Sequence, residues 1–138
     1  MSDIENVTLL HKFFLCSHLL QPGGKYRGQG RILGLLLDNG TLTQKELIEI
    51  TGRTSATLSE QLDSMEQNGL IVRTRNEQDK RNIDVTLTTF GQSAAKEARA
   101  YRLSKAETRF GFLTDEEKEQ LLALLSKLHD AWKSLPQE

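Results

Sequence analysis

Apolar positions along the chain fall into a helical rhythm from the start. Ile4, Val7, Leu10, Phe14 and His18 lie on one stripe, and Leu9, Phe13, Cys16 and Leu20 on the adjoining one. That predicts a helix over residues 4–20 with an apolar surface too wide to leave in water. Gln21-Pro22-Gly23-Gly24 stops it, because proline cannot continue a helix and two glycines add backbone freedom. A second helix is expected over 29–38 with Ile32, Leu35 and Leu36 inward, ended by Asn39-Gly40. Thr43 and Glu46 have the spacing of a capping box, so a third helix spans about 43–51, closed by Gly52 as a left-handed cap. Thr54 can cap a fourth helix running to Asn68, with Leu58, Leu62 and Met65 spaced for one buried face.

The period then changes. Residues 71–75 and 83–88 alternate and are rich in β-branched side chains, and the run Asn76-Glu-Gln-Asp-Lys-Arg-Asn82 between them is polar, which predicts an antiparallel hairpin. A long charged helix follows over about 91–110, and a second capping box, Thr114 to Glu117, opens a last helix through Leu121, Leu122, Leu124, Leu125, Leu128 and Trp132. The expected fold is mainly α with a small β-hairpin: a winged helix-turn-helix core over about 28–90, with long helices at 1–22 and 91–138, in one domain of 138 residues. The terminal helices carry more Leu, Ala and Trp than so short a chain can cover alone, so they are expected to join two copies into a homodimer.

Composition narrows the function. Eighteen Lys and Arg stand against nineteen Asp and Glu, a net charge of −1, so no overall basic field draws the chain to nucleic acid and a DNA contact must rest on local charge. Apolar runs such as 13–16 and 35–37 are far shorter than the roughly 18 residues of a membrane span, and the opening Met1-Ser-Asp-Ile-Glu-Asn6 is acidic, so a cytoplasmic chain without membrane contact is expected. No enzyme is expected: Gly23, Gly24, Gly28 and Gly30 follow no strand and lead to no Lys-Ser/Thr, and Ser, His and Asp fall in no spacing that demands a triad.

Local charge gathers in the hairpin. Arg73, Arg75, Lys80 and Arg81 place four cations within nine residues, where a loop tip can present them to phosphate or a minor groove. Asp79 can pair with Arg81 and pre-shape the turn. Opposite the buried face of the fourth helix lie Arg53, Ala56, Thr57, Glu60, Asp63, Ser64 and Gln67. Hydroxyls and amides near its N-terminal end can bond base edges or phosphates, aided by the positive helix terminus. The acidic Glu60, Asp63 and Glu66 fit DNA poorly, so an ordinary solvated face or a protein-docking face stands beside the DNA reading.

Asp79-Lys-Arg81, followed by Val85-Thr-Leu87-Thr88 and Gly91, resembles the wing signature D-x-R…V-x-L-T-x-x-G of the MarR (multiple antibiotic resistance regulator) family of bacterial transcription factors. The stretch from Ser59 through Leu62, Met65, Glu66 and Gly69 to Arg73 is similar to that family's recognition helix and its exit into the first wing strand. Glu60 departs from it, standing where many members carry a basic residue. The resemblance implies a DNA-binding regulator, most often a repressor, in which interlocked terminal helices let two winged helices straddle a palindromic site of double-stranded DNA. It implies DNA contacts from Arg53, Thr54, Ser55, Thr57 and Ser59 in the helix and from Arg73, Arg75, Lys80 and Arg81 in the wing. No metal or nucleotide cofactor is implied, and release of the DNA stays open between a small-molecule effector of unknown identity, oxidation and no signal at all.

Cys16 carries two expectations. In some regulators of this type a first-helix cysteine senses peroxide through its sulfenic acid, whereas its neighbours Phe13, Phe14, Leu15, Leu19 and Leu20 favour a small apolar residue in a packed surface. His11 and His18, seven apart, share a helix face without a carboxylate partner, which favours packing over metal binding.

Overall fold

The computed structural model describes residues 3–20 and 23–136, with side chains from Glu5 onward; Gln21 and Pro22, expected to stop the first helix, and the Ile4 side chain lie outside the described residues. The elements run α1 (Asp3–Leu19), α2 (Gly30–Asn39), β1 (Leu42–Thr43), α3 (Gln44–Thr51), α4 (Ser55–Gln67), β2 (Ile71–Arg75), β3 (Ile83–Leu87), α5 (Thr89–Phe110) and α6 (Asp115–Trp132). The chain divides into two compact units, Met1–Arg99 and Ala100–Glu138. No helix of the described residues is long and apolar enough to cross a membrane.

In the first unit, local chemistry sets the helix ends. The Thr43 hydroxyl accepts from the Glu46 amide at 3.1 Å and the Glu46 carboxylate accepts from the Thr43 amide at 3.1 Å, so both expected halves of the capping box are made. Gly52, at φ 69°, ends α3 in the left-handed region, where a side chain would be strained. Thr54 caps α4 by accepting from the Thr57 amide. The core gathers Ile32, Leu33 and Leu36 of α2, Leu47 of α3, Leu58, Leu62 and Met65 of α4, Leu70, Ile71, Val85 and Leu87 of the hairpin, and Ala94, Ala95 and Ala98 of α5. Leu33 is fully buried where Leu35, expected inward, is only partly so.

The sheet holds three strands in the order β1-β3-β2, all antiparallel, with Ile71 opposite Leu87, Arg73 opposite Val85 and Arg75 opposite Ile83. The sequence pattern predicts β2 and β3 but not β1. That strand is two residues pairing Leu42 with Val85, too short to show any alternation.

The start of α5 is locked beneath the hairpin, which gives physical content to the V-x-L-T-x-x-G pattern. The Thr88 hydroxyl donates to the Gly69 carbonyl at 2.6 Å and accepts from the Gly91 amide at 2.9 Å. Small residues at 91, 94, 95 and 98 let the helix approach the core closely. Arg99 then ties α5 to α2, donating to Asp38 at 2.9 Å and to the Gly34 carbonyl.

Every described side chain of α1 is exposed, Phe14 at 65% and Leu19 at 74% among them. The first helix therefore does not complete the winged-helix core of its own chain. In the second unit α6 opens on the expected capping box of Thr114 and Glu117, and none of its residues is buried; Leu122, Leu124 and Trp132 present apolar surface to solvent.

Candidate nucleic-acid interface

At the N-terminal end of α4, Thr54, Ser55, Ala56 and Thr57 are exposed and Ser59 is half-buried. The Thr54 hydroxyl also donates to that of Thr57 at 2.9 Å, which fixes the hydroxyl pair at the helix entrance. The remaining amides of the first turn project from the same end, where the helix dipole favours an anion.

The wing tip is ordered by its own side chains. Asn76 Oδ1 accepts from the amides of Gln78 and Asp79 at 2.9 Å, and the Asn76 amide closes the turn on the Asn82 carbonyl. Asp79 Oδ1 then accepts from both the amide and Nε of Arg81 at 3.1 Å, while Oδ2 accepts from Arg81 Nη2 at 3.3 Å, so the pairing expected from the sequence is present. These bonds, with Lys45 contributing at longer range, hold the Asp79 carboxyl below the usual range. The Arg81 side chain remains 91% exposed. One carboxylate thus aims an arginine outward without burying it. Lys80 is exposed beside it, and Arg75 donates to the Lys80 carbonyl at 2.9 Å, bracing the tip from the strand.

Arg53 and Arg73, also expected at the interface, are partly buried and bonded to other elements of the fold. Arg53 donates to the Gly28 carbonyl at 3.0 Å and to the Gln61 side chain, and Gln61 itself donates to the Gly28 carbonyl at 3.0 Å. Burial, with Arg31 nearby, lowers the Arg53 pKa, although a guanidinium stays charged at any physiological pH. Gln29 adds a 3.4 Å bond to Ser64. The segment before α2 is thereby latched to α4, a role for Gln61 that the sequence pattern leaves unmarked. Arg73, on β2, donates to Asp63 at 2.7 Å and to Glu66 at 3.1 Å, and its side chain is only 19% exposed. The hydrogen bond to Glu66 is the main cause of a raised Arg73 pKa, and the same bond lowers that of Glu66. The spacing of Asp63 and Glu66, one turn apart beside a strand arginine, is the sequence signal that could have found this pair of bridges.

Beside the base of α4, a cavity of about 390 Å³ opens between Lys25, Tyr26, Arg27 and Gln29 on one side and Asn68, Leu70 and Phe90 on the other. Cys16 is exposed on α1, so within a single chain the packed surroundings expected for it are not formed: its described apolar neighbours on that helix are exposed as well. Among the described residues no group of three or more His, Cys, Asp and Glu side chains is placed to hold a metal ion.

A model of the MarR family matches residues 25–83, the span that contains the latch, α4, β2 and the wing tip. The chain belongs to the MarR family. It is 37% identical over 101 residues to the uncharacterised HTH-type transcriptional regulator YwhA of Bacillus subtilis, covering 72% of each chain. It is 30% identical over 115 residues to the transcriptional repressor YetL of the same organism, covering 82% of this chain and 69% of that one. Among solved structures it resembles MepR of S. aureus, determined in complex with DNA, at 32% identity and a TM-score of 0.69 over 75% of this chain and 76% of that one. This MarR member is a transcriptional regulator with the family's winged-helix fold, and regulators of this family are generally not enzymes.

Proposed function

We propose that the chain represses transcription as a homodimer that sets two copies of α4 and two wings on a palindromic duplex. The observation that carries this reading is Arg81, held by Asp79 at the hairpin tip and almost wholly exposed. A cation fixed in direction and left in water adds little to folding, and its planar fork suits a narrow minor groove or a phosphate. Thr54, Ser55, Thr57 and Ser59 supply hydroxyls for the major groove at the end of α4 that favours anions. Lys80 and Arg75 add charge along the backbone path, while Arg53 and Arg73 act from within the fold.

The exposed apolar residues of α1 and α6 supply the contact between copies, since surface of that extent marks an interface. A small-molecule effector has the cavity beside Tyr26 and Phe90 as its entry to this unit. The protein-docking reading of α4 loses its main support, because Asp63 and Glu66 are already paired with Arg73 rather than offered to a basic partner.

Selection from a random-sequence duplex pool tests the proposal. The full chain is expected to enrich a palindrome, and light scattering of the complex to give two chains per duplex. A monomeric mass, or no enrichment at low salt, would contradict it.

A further inference from the structure

We propose that Arg73 is a positioning residue for DNA binding, one that offsets one of the two carboxylate charges on the acidic flank of α4 and fixes both side chains while making no contact with DNA itself. This rests on the reading of α4 as the DNA-facing helix. Asp63 and Glu66 are exposed on α4, and without a counter-charge two carboxylates per protomer would face the phosphates they must approach. The Arg73 guanidinium reaches both, at 2.7 and 3.1 Å, from the middle of β2. Its side chain is 19% exposed against 59% and 43% for its two partners. The cation thus lies beneath the carboxylates and is less accessible than either, the opposite of the geometry of a phosphate-gripping arginine such as Arg81.

The same bridges join the helix to the first strand of the wing. Arg73 pairs with Val85 across the sheet, so its backbone is set by β2 and β3 and its side chain by α4. Glu60, which departs from the basic residue common at that position, lies on the same helix with no such bond among those described. Offsetting charge at Asp63 and Glu66 therefore matters more in this chain than in one whose helix is basic.

The test uses the duplex that the wild-type chain enriches from a random pool, with binding measured at fixed salt. Arg73→Ala should weaken binding about five- to tenfold across the dimer, from two unscreened carboxylates near phosphate on each protomer. Adding Asp63→Asn and Glu66→Gln to Arg73→Ala should restore wild-type binding or better, because the charge that Arg73 offset is gone. Recovery distinguishes this from a purely structural tie, which the additional substitutions would leave broken. A triple variant as weak as Arg73→Ala would mean that the guanidinium grips DNA or only braces the fold, and would overturn the proposal. So would wild-type binding by Arg73→Ala. If Arg73→Ala fails to fold, Asp63→Asn with Glu66→Gln in the otherwise wild-type chain carries the test: it should tighten binding, and unchanged or weaker binding overturns the proposal. A wild-type chain that enriches no duplex would instead defeat the functional reading on which this stands.

Discussion

Gly91 sits against Leu70 so tightly that a Cβ placed on it would overlap the Leu70 carbonyl oxygen, and the same carbonyl accepts from the Thr88 amide at 3.0 Å. The obstacle is backbone, and the backbone there is pinned by the Thr88 hydroxyl bonds to Gly69 and Gly91. The join between wing and α5 is therefore fixed by sterics rather than by charge.

Two effects compete when Gly91 is replaced by alanine. Helix propensity alone would favour alanine by about 1 kcal/mol. Overpacking against an immobile carbonyl costs about 1–3 kcal/mol or more, and with no flexible side chain to yield, the clash wins. Gly91→Ala should lower the chemical-denaturation midpoint. A midpoint equal to or above wild type would show that α5 can move off Leu70.

The Arg73 bridge makes a pH-dependent statement about Glu66. Its folded pKa is lowered, chiefly by the hydrogen bond from Arg73, below its unfolded value of about 4.3. A depressed carboxylate contributes stability that is fully present above the unfolded pKa and is lost as pH falls through the folded one. The contribution is thus constant at neutral pH and disappears only in acid. A carboxyl-detected NMR titration should place Glu66 below the ordinary glutamate range in the wild type and return it toward that range in Arg73→Ala. Identical midpoints in the two proteins would mean that the bridge does not form in solution.

The particular elements show which features a sequence makes legible. Thr43 and Thr114 announce helix starts because a capping box is closed within four residues, and Asp79 finds Arg81 two residues away for the same reason: the partner is local. Leu58, Leu62 and Met65 are legible because helical spacing alone puts them on one face. β1 is not, since it exists only as the edge partner of β3. The inward engagement of Arg53 and Arg73 is hidden for a related reason. Gly28 is 25 residues from Arg53, so only the assembled fold reveals that bond, while Asp63 is ten from Arg73 across a helix-to-strand turn and the one-turn spacing of Asp63 and Glu66 is the only local trace of that pair.

Cys16 lies on α1 among exposed apolar residues that a second copy of the chain would cover in the proposed dimer, which would pack the thiol away from oxidant. Peroxide should therefore affect DNA binding equally in the wild type and in Cys16→Ser. Loss of binding in the wild type alone would assign Cys16 a sensing role, because serine cannot enter the oxidation ladder.

The most direct measurement of the central claim is the salt dependence of duplex binding by the wild type and by Arg81→Ala. If Arg81 leaves the fold to meet phosphate, wild-type affinity should fall steeply with salt, and Arg81→Ala should weaken binding, with the slope of log affinity against log salt reduced by about two, one for each protomer. Folding should change little, since the Asp79–Arg81 pair is exposed and such pairs contribute little to stability. Lys80→Ala should cost less, being a flexible point charge that solvent ions replace more easily. An Arg81→Ala chain that binds the duplex at full strength with an unchanged slope would contradict a DNA-contacting wing.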